Sequence, residues 1–177
     1  MIRSHGLDTA TVGLWLFCLG FSGMIGTFLG GYICDRLGKR DDHWYLWLPG
    51  LATVLAIPFS IYVYLGDDVI RALFVANIPV MLGAFYLGPG FALTQRLVGV
   101  RMSALAASVL LFITNLIGLG VGPQLTGIIS DVFHATTALG VDSLRWSMVS
   151  VLGLNVISTL FYLVAAKYLI DDLKAPK

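Results

Sequence analysis

The chain has 177 residues, of which 58% are apolar and a further 20 are glycine, while only 12% are charged. That charged share is half the ~25% of an ordinary soluble domain, and the mean hydropathy is +0.87. So few charges cannot cover a water-soluble globule, and 11 scattered basic residues against 10 acidic ones (net +1) form no nucleic-acid-binding stripe.

Disorder and a disulfide-rich secreted module are excluded on the same grounds, which leaves an all-α polytopic membrane protein. Its length has room for about five or six helices at ~20 residues each. Five continuous apolar runs predict spans at about 11–34, 44–65, 69–97, 102–130 and 145–170, as one transmembrane domain over residues 1–177. The runs are too long and too continuous for the ~10-residue alternating strands of a barrel.

The first span follows Asp8 and Thr9, a helix-start signal, with no secretory signal stretch before them. It carries Gly20, Gly23, Gly26 and Gly30 roughly along one face, a pattern for close helix packing or sliding. Its two cysteines, Cys18 and Cys34, have no metal-site spacing and read as apolar filler. The second span has only Thr53, Ser60 and Tyr62 as polar residues between Leu48 and Leu65 and is expected to face lipid.

Spans three and four hold the breakers and the neutral polar groups. Pro79, Pro89 and Pro123 are expected to kink them, since proline removes a helical hydrogen bond. Asn77, Tyr86, Thr114, Asn115 and Gln124 are the candidates for a substrate pathway, because discontinuous spans often surround a site near the midplane. The alternative for the same residues is interhelical glue. Asn155 in span five is read that way. None of the charged residues falls in the middle of a span.

Charge placement predicts orientation. Arg36, Lys39, Arg40, Arg96, Arg101, Lys167, Lys174 and Lys177 fall on one side of a five-span chain, and Arg3, Arg71 and Arg145 on the other. The positive-inside rule puts the first group, and the C-terminus, in the cytoplasm and the N-terminus outside.

The turn after span one contains Gly31, Asp35, Arg36, Gly38, Lys39 and Arg40. A small residue lets the helix end pack closely, Gly38 permits a tight turn, and a carboxylate at the membrane edge can pair with an Arg or with a helix N-terminus. Such a contact, made in one conformation and broken in another, is a latch. A plain positive-inside hairpin accounts for the same charges.

These six residues match the G-x-x-x-D-R-x-G-R/K-R/K loop signature, so the stretch resembles that of the major facilitator superfamily; Asp41 stands where a further basic residue is common. Residues 3–6 (RSHG), 35–41, 86–89 (YLGP), 115–123 (NLIGLGVGP) and 127–131 (GIISD) are similar to the spinster-like branch of that family. The resemblance covers nearly the whole chain and aligns its spans with the eighth to twelfth of a twelve-span transporter, part of the C-terminal six-helix bundle. It implies a seventh span and an N-terminal half before this segment, which would account for the odd topology.

It further implies secondary active transport by alternating access, proton-coupled, of a small or lipid-like molecule such as a lysophospholipid, in the bacterial inner (plasma) membrane. The expected partners are then the lipid bilayer, the other transporter half and the substrate, with no nucleic acid. The alternative is a non-transporting membrane scaffold or truncated remnant. No nucleophile elbow, phosphate loop, dinucleotide fingerprint or metal spacing is present, so no enzyme, cofactor or metal is expected. His5, His43 and His134 are placed in loops.

Overall fold

The computed structural model describes residues 9–98, 100–136 and 143–174, and every regular element among them is helical. Helix α1 (Thr9–Gly38) runs unbroken for 30 residues. Asp8, its expected cap, lies outside the described residues, as does His5. Helix α2 (Trp44–Leu65) follows, then α3 (Val69–Gly83), a 3-10 turn (Ala84–Tyr86) and α4 (Leu87–Leu97). A second 3-10 turn (Val100–Met102) leads into α5 (Ser103–Asn115), a π-helical segment (Leu116–Val121) and α6 (Gly122–Thr136). Helices α7 (Ser143–Val151) and α8 (Gly153–Lys174) are the last among the described residues.

Five helical stretches are long and apolar enough to cross a membrane: Gly13–Gly38, Trp44–Leu65, Val69–Leu97, Ser103–Ala135 and Ser143–Leu169. The fourth reaches further than residue 130, because 131–136 remain helical. His134 therefore sits in the last turn of α6 rather than in a loop.

Small residues decide how these helices meet, as expected where lipid removes the hydrophobic drive between them. A Cβ on Gly26 would run into the Met81 carbonyl, and one on Gly30 would lie 2.6 Å from the Phe85 oxygen. Helix α1 thus crosses the α3–α4 span backbone to backbone.

The second span departs from the expectation that it faces lipid. Leu51, Val54 and Leu55 do point outward, but Pro49, Gly50, Ala52, Ala56 and Ser60 form a buried face against the neighbouring helices. The reason is the small-residue stripe: Gly50 brings α2 to 3.3 Å from Tyr162 Cβ of α8, measured from an added Cβ.

The fourth span is the opposite case. None of the apolar window of Ser103–Ala135 is buried, and Phe112, Leu116, Leu119 and Ile128 are all more than half exposed. The buried cluster sits instead at the basic end, where Cys34, Tyr45, Leu93 and Leu169 meet.

Candidate functional site

At the basic end, the turn between α1 and α2 is wound tightly. The Arg40 and Asp41 N–H groups both donate to the Leu37 carbonyl, at 3.0 and 3.2 Å. Asp41 then starts α2: its carbonyl accepts from Trp44 N–H, and its carboxylate accepts from the His43 N–H at 3.0 Å and contacts the His43 ring at 2.5 Å. These hydrogen bonds, backbone first, hold the Asp41 carboxyl below the usual carboxylate range.

Gly38 is required here for space, because a Cβ would overlap the Tyr45 ring. That ring, packed over Gly38, aims its hydroxyl at Asp35 and donates to Oδ1 at 3.1 Å. On the other side, the Arg96 guanidinium of α4 stands 5.1 Å from the Tyr45 ring centroid and bonds Asp42 at 2.8 Å. Cation–π attraction and the ion pair tie three helix ends together.

Of the six turn residues singled out in the sequence, the structure brings Asp35 and Gly38 into this cluster. Gly31 packs near the Gly88 backbone, at 3.9 Å from an added Cβ, and Arg36 stacks over Tyr32 of its own helix, 5.2 Å from the centroid. Lys39 and Arg40 are exposed. Asp35 is held by a tyrosine hydroxyl, whereas an arginine or a helix N-terminus was expected. Tyr45, Arg96 and Asp42 were missed. Only Tyr45, just past the glycine turn, left a trace in the sequence.

The prolines explain where the spans break. Pro89 is the third residue of α4 and Pro123 the second of α6, positions where a helix does not need the missing N–H. Each lies just past an irregular segment: the 3-10 turn at 84–86 and the π segment at 116–121. Pro89 has no N–H to offer the Phe85 carbonyl, the oxygen that Gly30 approaches. Pro79 lies inside α3 without interrupting it, as do Pro49 and Pro58 in α2.

The five pathway candidates separate. Tyr86 and Thr114 come together in a cavity of about 210 Å³ between α2, α4, α5 and α8, where Tyr45, Thr94 and Tyr162 join an apolar wall. Asn115, one position on, is exposed; its Nδ2 donates to the Leu111 carbonyl at 2.8 Å beside a shallow surface depression. Gln124 is also exposed. Asn77 serves helix contact: Ser22 of α1 donates to its Oδ1 at 2.6 Å, and its Nδ2 donates to the Leu73 carbonyl. Among the described residues no group of three or more His, Cys or Asp could hold a metal ion.

A glycine-backed crossing of the first and third spans, two interrupted spans and a glycine–aspartate–basic turn thus sit in an all-helical chain with five membrane-spanning-length stretches, an architecture similar to that of solved transporters. The comparisons agree. The chain is 29% identical over 171 residues to a protein of Mycolicibacterium smegmatis named an MFS-type efflux pump, across 95% of this chain and 39% of the relative.

It superposes with a TM-score of 0.82 on the crystal structure of a bacterial homologue of the human lysosomal transporter Spinster, inward-facing and unoccupied. Identity is 27%, and the match covers 99% of this chain and 44% of that one. The inward-facing occupied form of such a homologue gives a TM-score of 0.80 at the same identity, over 45% of its length. The chain thus spans less than half the length of these relatives, and no protein-family model matches it.

Proposed function

We propose that this chain supplies five spans of the C-terminal half of a secondary transporter that works by alternating access, facing a second helical half across a central cavity. The observation that carries the reading is the likeness to a bacterial Spinster homologue over 99% of the chain at a TM-score of 0.82. The apolar, largely unburied surface of the fourth span supports it, since that surface needs either lipid or another bundle against it. Thr114, Asn115 and Gln124 of that span, with Tyr86, then contribute to the pathway.

The substrate class is small or lipid-like. A Spinster-like relative favours an amphiphile, and the apolar wall around Tyr86 and Thr114 suits one. Asp35 with Tyr45 and Arg96 forms the latch at the cytoplasmic end, with the N-terminus outside and the C-terminus in the cytoplasm of a bacterial inner membrane. Proton coupling uses Asp35 at the membrane edge or a carboxyl group in the other half.

The test is uptake by the full-length transporter in liposomes, with and without a proton gradient. Asp35→Asn is expected to change both transport and the balance of outward and inward accessibility. Unchanged transport and accessibility would remove the latch. A full-length protein that inserts but moves no amphiphile favours the non-transporting scaffold instead. The 177-residue chain alone is expected to show no uptake.

A further inference from the structure

A second cavity, of about 370 Å³, lies between α2, α3 and α8. It extends along α2 from Thr53 to Tyr64, ~16 Å of helix at 1.5 Å per residue. Tyr86 and Tyr162 line both cavities and stand between them, but the two differ in chemistry. Seven polar side chains line the second one: Thr53, Ser60 and Tyr64 from α2, Tyr86 at the break after α3, and Asn155, Ser158 and Tyr162 from α8.

Among the described residues six of the seven, all but Thr53, make no side-chain hydrogen bond to another protein group; their polar atoms keep contact with open space even at Ser60, only 7% exposed. Thr53 on the same wall and Thr159 nearby behave differently, donating back to the Pro49 and Asn155 carbonyls. Polar groups inside an apolar bundle need partners, and a polar cavity with room for water provides them. Among the described residues no lysine, arginine, histidine or aspartate lines the chamber, so a charged solute finds no counter-charge from them. Gly83 leaves open space where a Cβ would project, on the chamber wall.

We propose that this chamber is a second binding site, water-filled at rest, for a small uncharged polyol, whose hydroxyls match the donors and acceptors of the six side chains. The site is independent of the transport reading, since it is built wholly within these five spans.

The test uses single cysteines in the full chain, in lipid vesicles, with Cys18 and Cys34 replaced by alanine. A hydrophilic methanethiosulfonate reagent reacts only where water ionises the thiol. Ser158→Cys is expected to react at least tenfold faster than Val156→Cys, which lies on the exposed face of the same helix. Glycerol, erythritol and xylitol are expected to slow the reaction at 158 severalfold, and acetate to leave it unchanged. Gly83→Leu, which fills open space, is expected to suppress reaction at 158 while thermal stability is retained. Equal rates at 156 and 158, no protection by the polyols, or full reactivity in the Gly83→Leu background each overturns the proposal.

Discussion

The Tyr45 hydroxyl donates a 3.1 Å hydrogen bond to Asp35 Oδ1, fastening the end of α1 to the first turn of α2. Tyr45→Phe keeps the ring over Gly38 and removes only the donor. A hydrogen bond to a charged group contributes about 1.5–3 kcal/mol when buried, but Asp35 is exposed, so about 0.5–1 kcal/mol is expected. That is roughly a two- to fivefold shift in the conformational equilibrium of the proposed full-length transporter, read by site-specific accessibility. Asp35→Asn and the double variant should give similar shifts, because both single changes break one contact. Fully additive shifts would show that the two residues act separately.

Ser22 and Asn77 join the first and third spans by a 2.6 Å bond. Interhelical hydrogen bonds in membranes contribute about 0.6 kcal/mol on average and up to about 1.7. Ser22→Ala and Asn77→Ala should each lower thermal stability by a comparable small amount, with the double variant no worse than the worse single. Substrate preference should be unchanged in all three. A changed preference in Asn77→Ala at normal stability would return that residue to the pathway.

Much of the fold was legible in the sequence because it depends on local pattern. Five apolar runs gave five spans, and the spacing of Gly26 and Gly30 announced a close crossing that the structure places on Met81 and Phe85. Pro89 and Pro123 marked breaks for an equally local reason, whereas Pro79 sits in an uninterrupted helix. Side-chain direction was harder to read. Thr114 and Asn115 are one residue, or ~100°, apart on a helix, and a span apolar all round carries no stripe to show which of them faces inward. The Arg96–Asp42 pair crosses 54 positions, and no spacing rule reaches that far. The hydroxyls of the second chamber come from three spans whose polar residues look unremarkable one at a time.

Gly26 and Gly30 make a sharper stability prediction than any polar residue. Alanine at either forces α1 away from the Met81 or Phe85 carbonyl, and overpacking of this kind costs about 1–3 kcal/mol. Gly20 has nothing within 4 Å of an added Cβ. Gly20→Ala should therefore be neutral or slightly stabilising, because alanine is the better helix former. Melting of the three variants in lipid nanodiscs checks the ranking. Equal losses at all three positions would show that the cost is general to the helix and unrelated to the crossing.

Asp41 predicts how the basic turn responds to acid. Its carboxyl is held below the usual range by the His43 N–H and ring, so the folded state binds its proton more weakly than the unfolded chain does. The stabilisation is then fully present above the ordinary aspartate value of about 3.9 and is lost as pH falls through the lower folded value. Amide exchange over residues 43–47, corrected for its intrinsic pH dependence, should show protection unchanged from pH 6 to pH 4 and falling only below that. Asp41→Asn keeps an acceptor for the backbone but has no charge to titrate, so its protection should be lower and flat across the same range. Equal acid sensitivity in the two proteins would place the titrating group elsewhere.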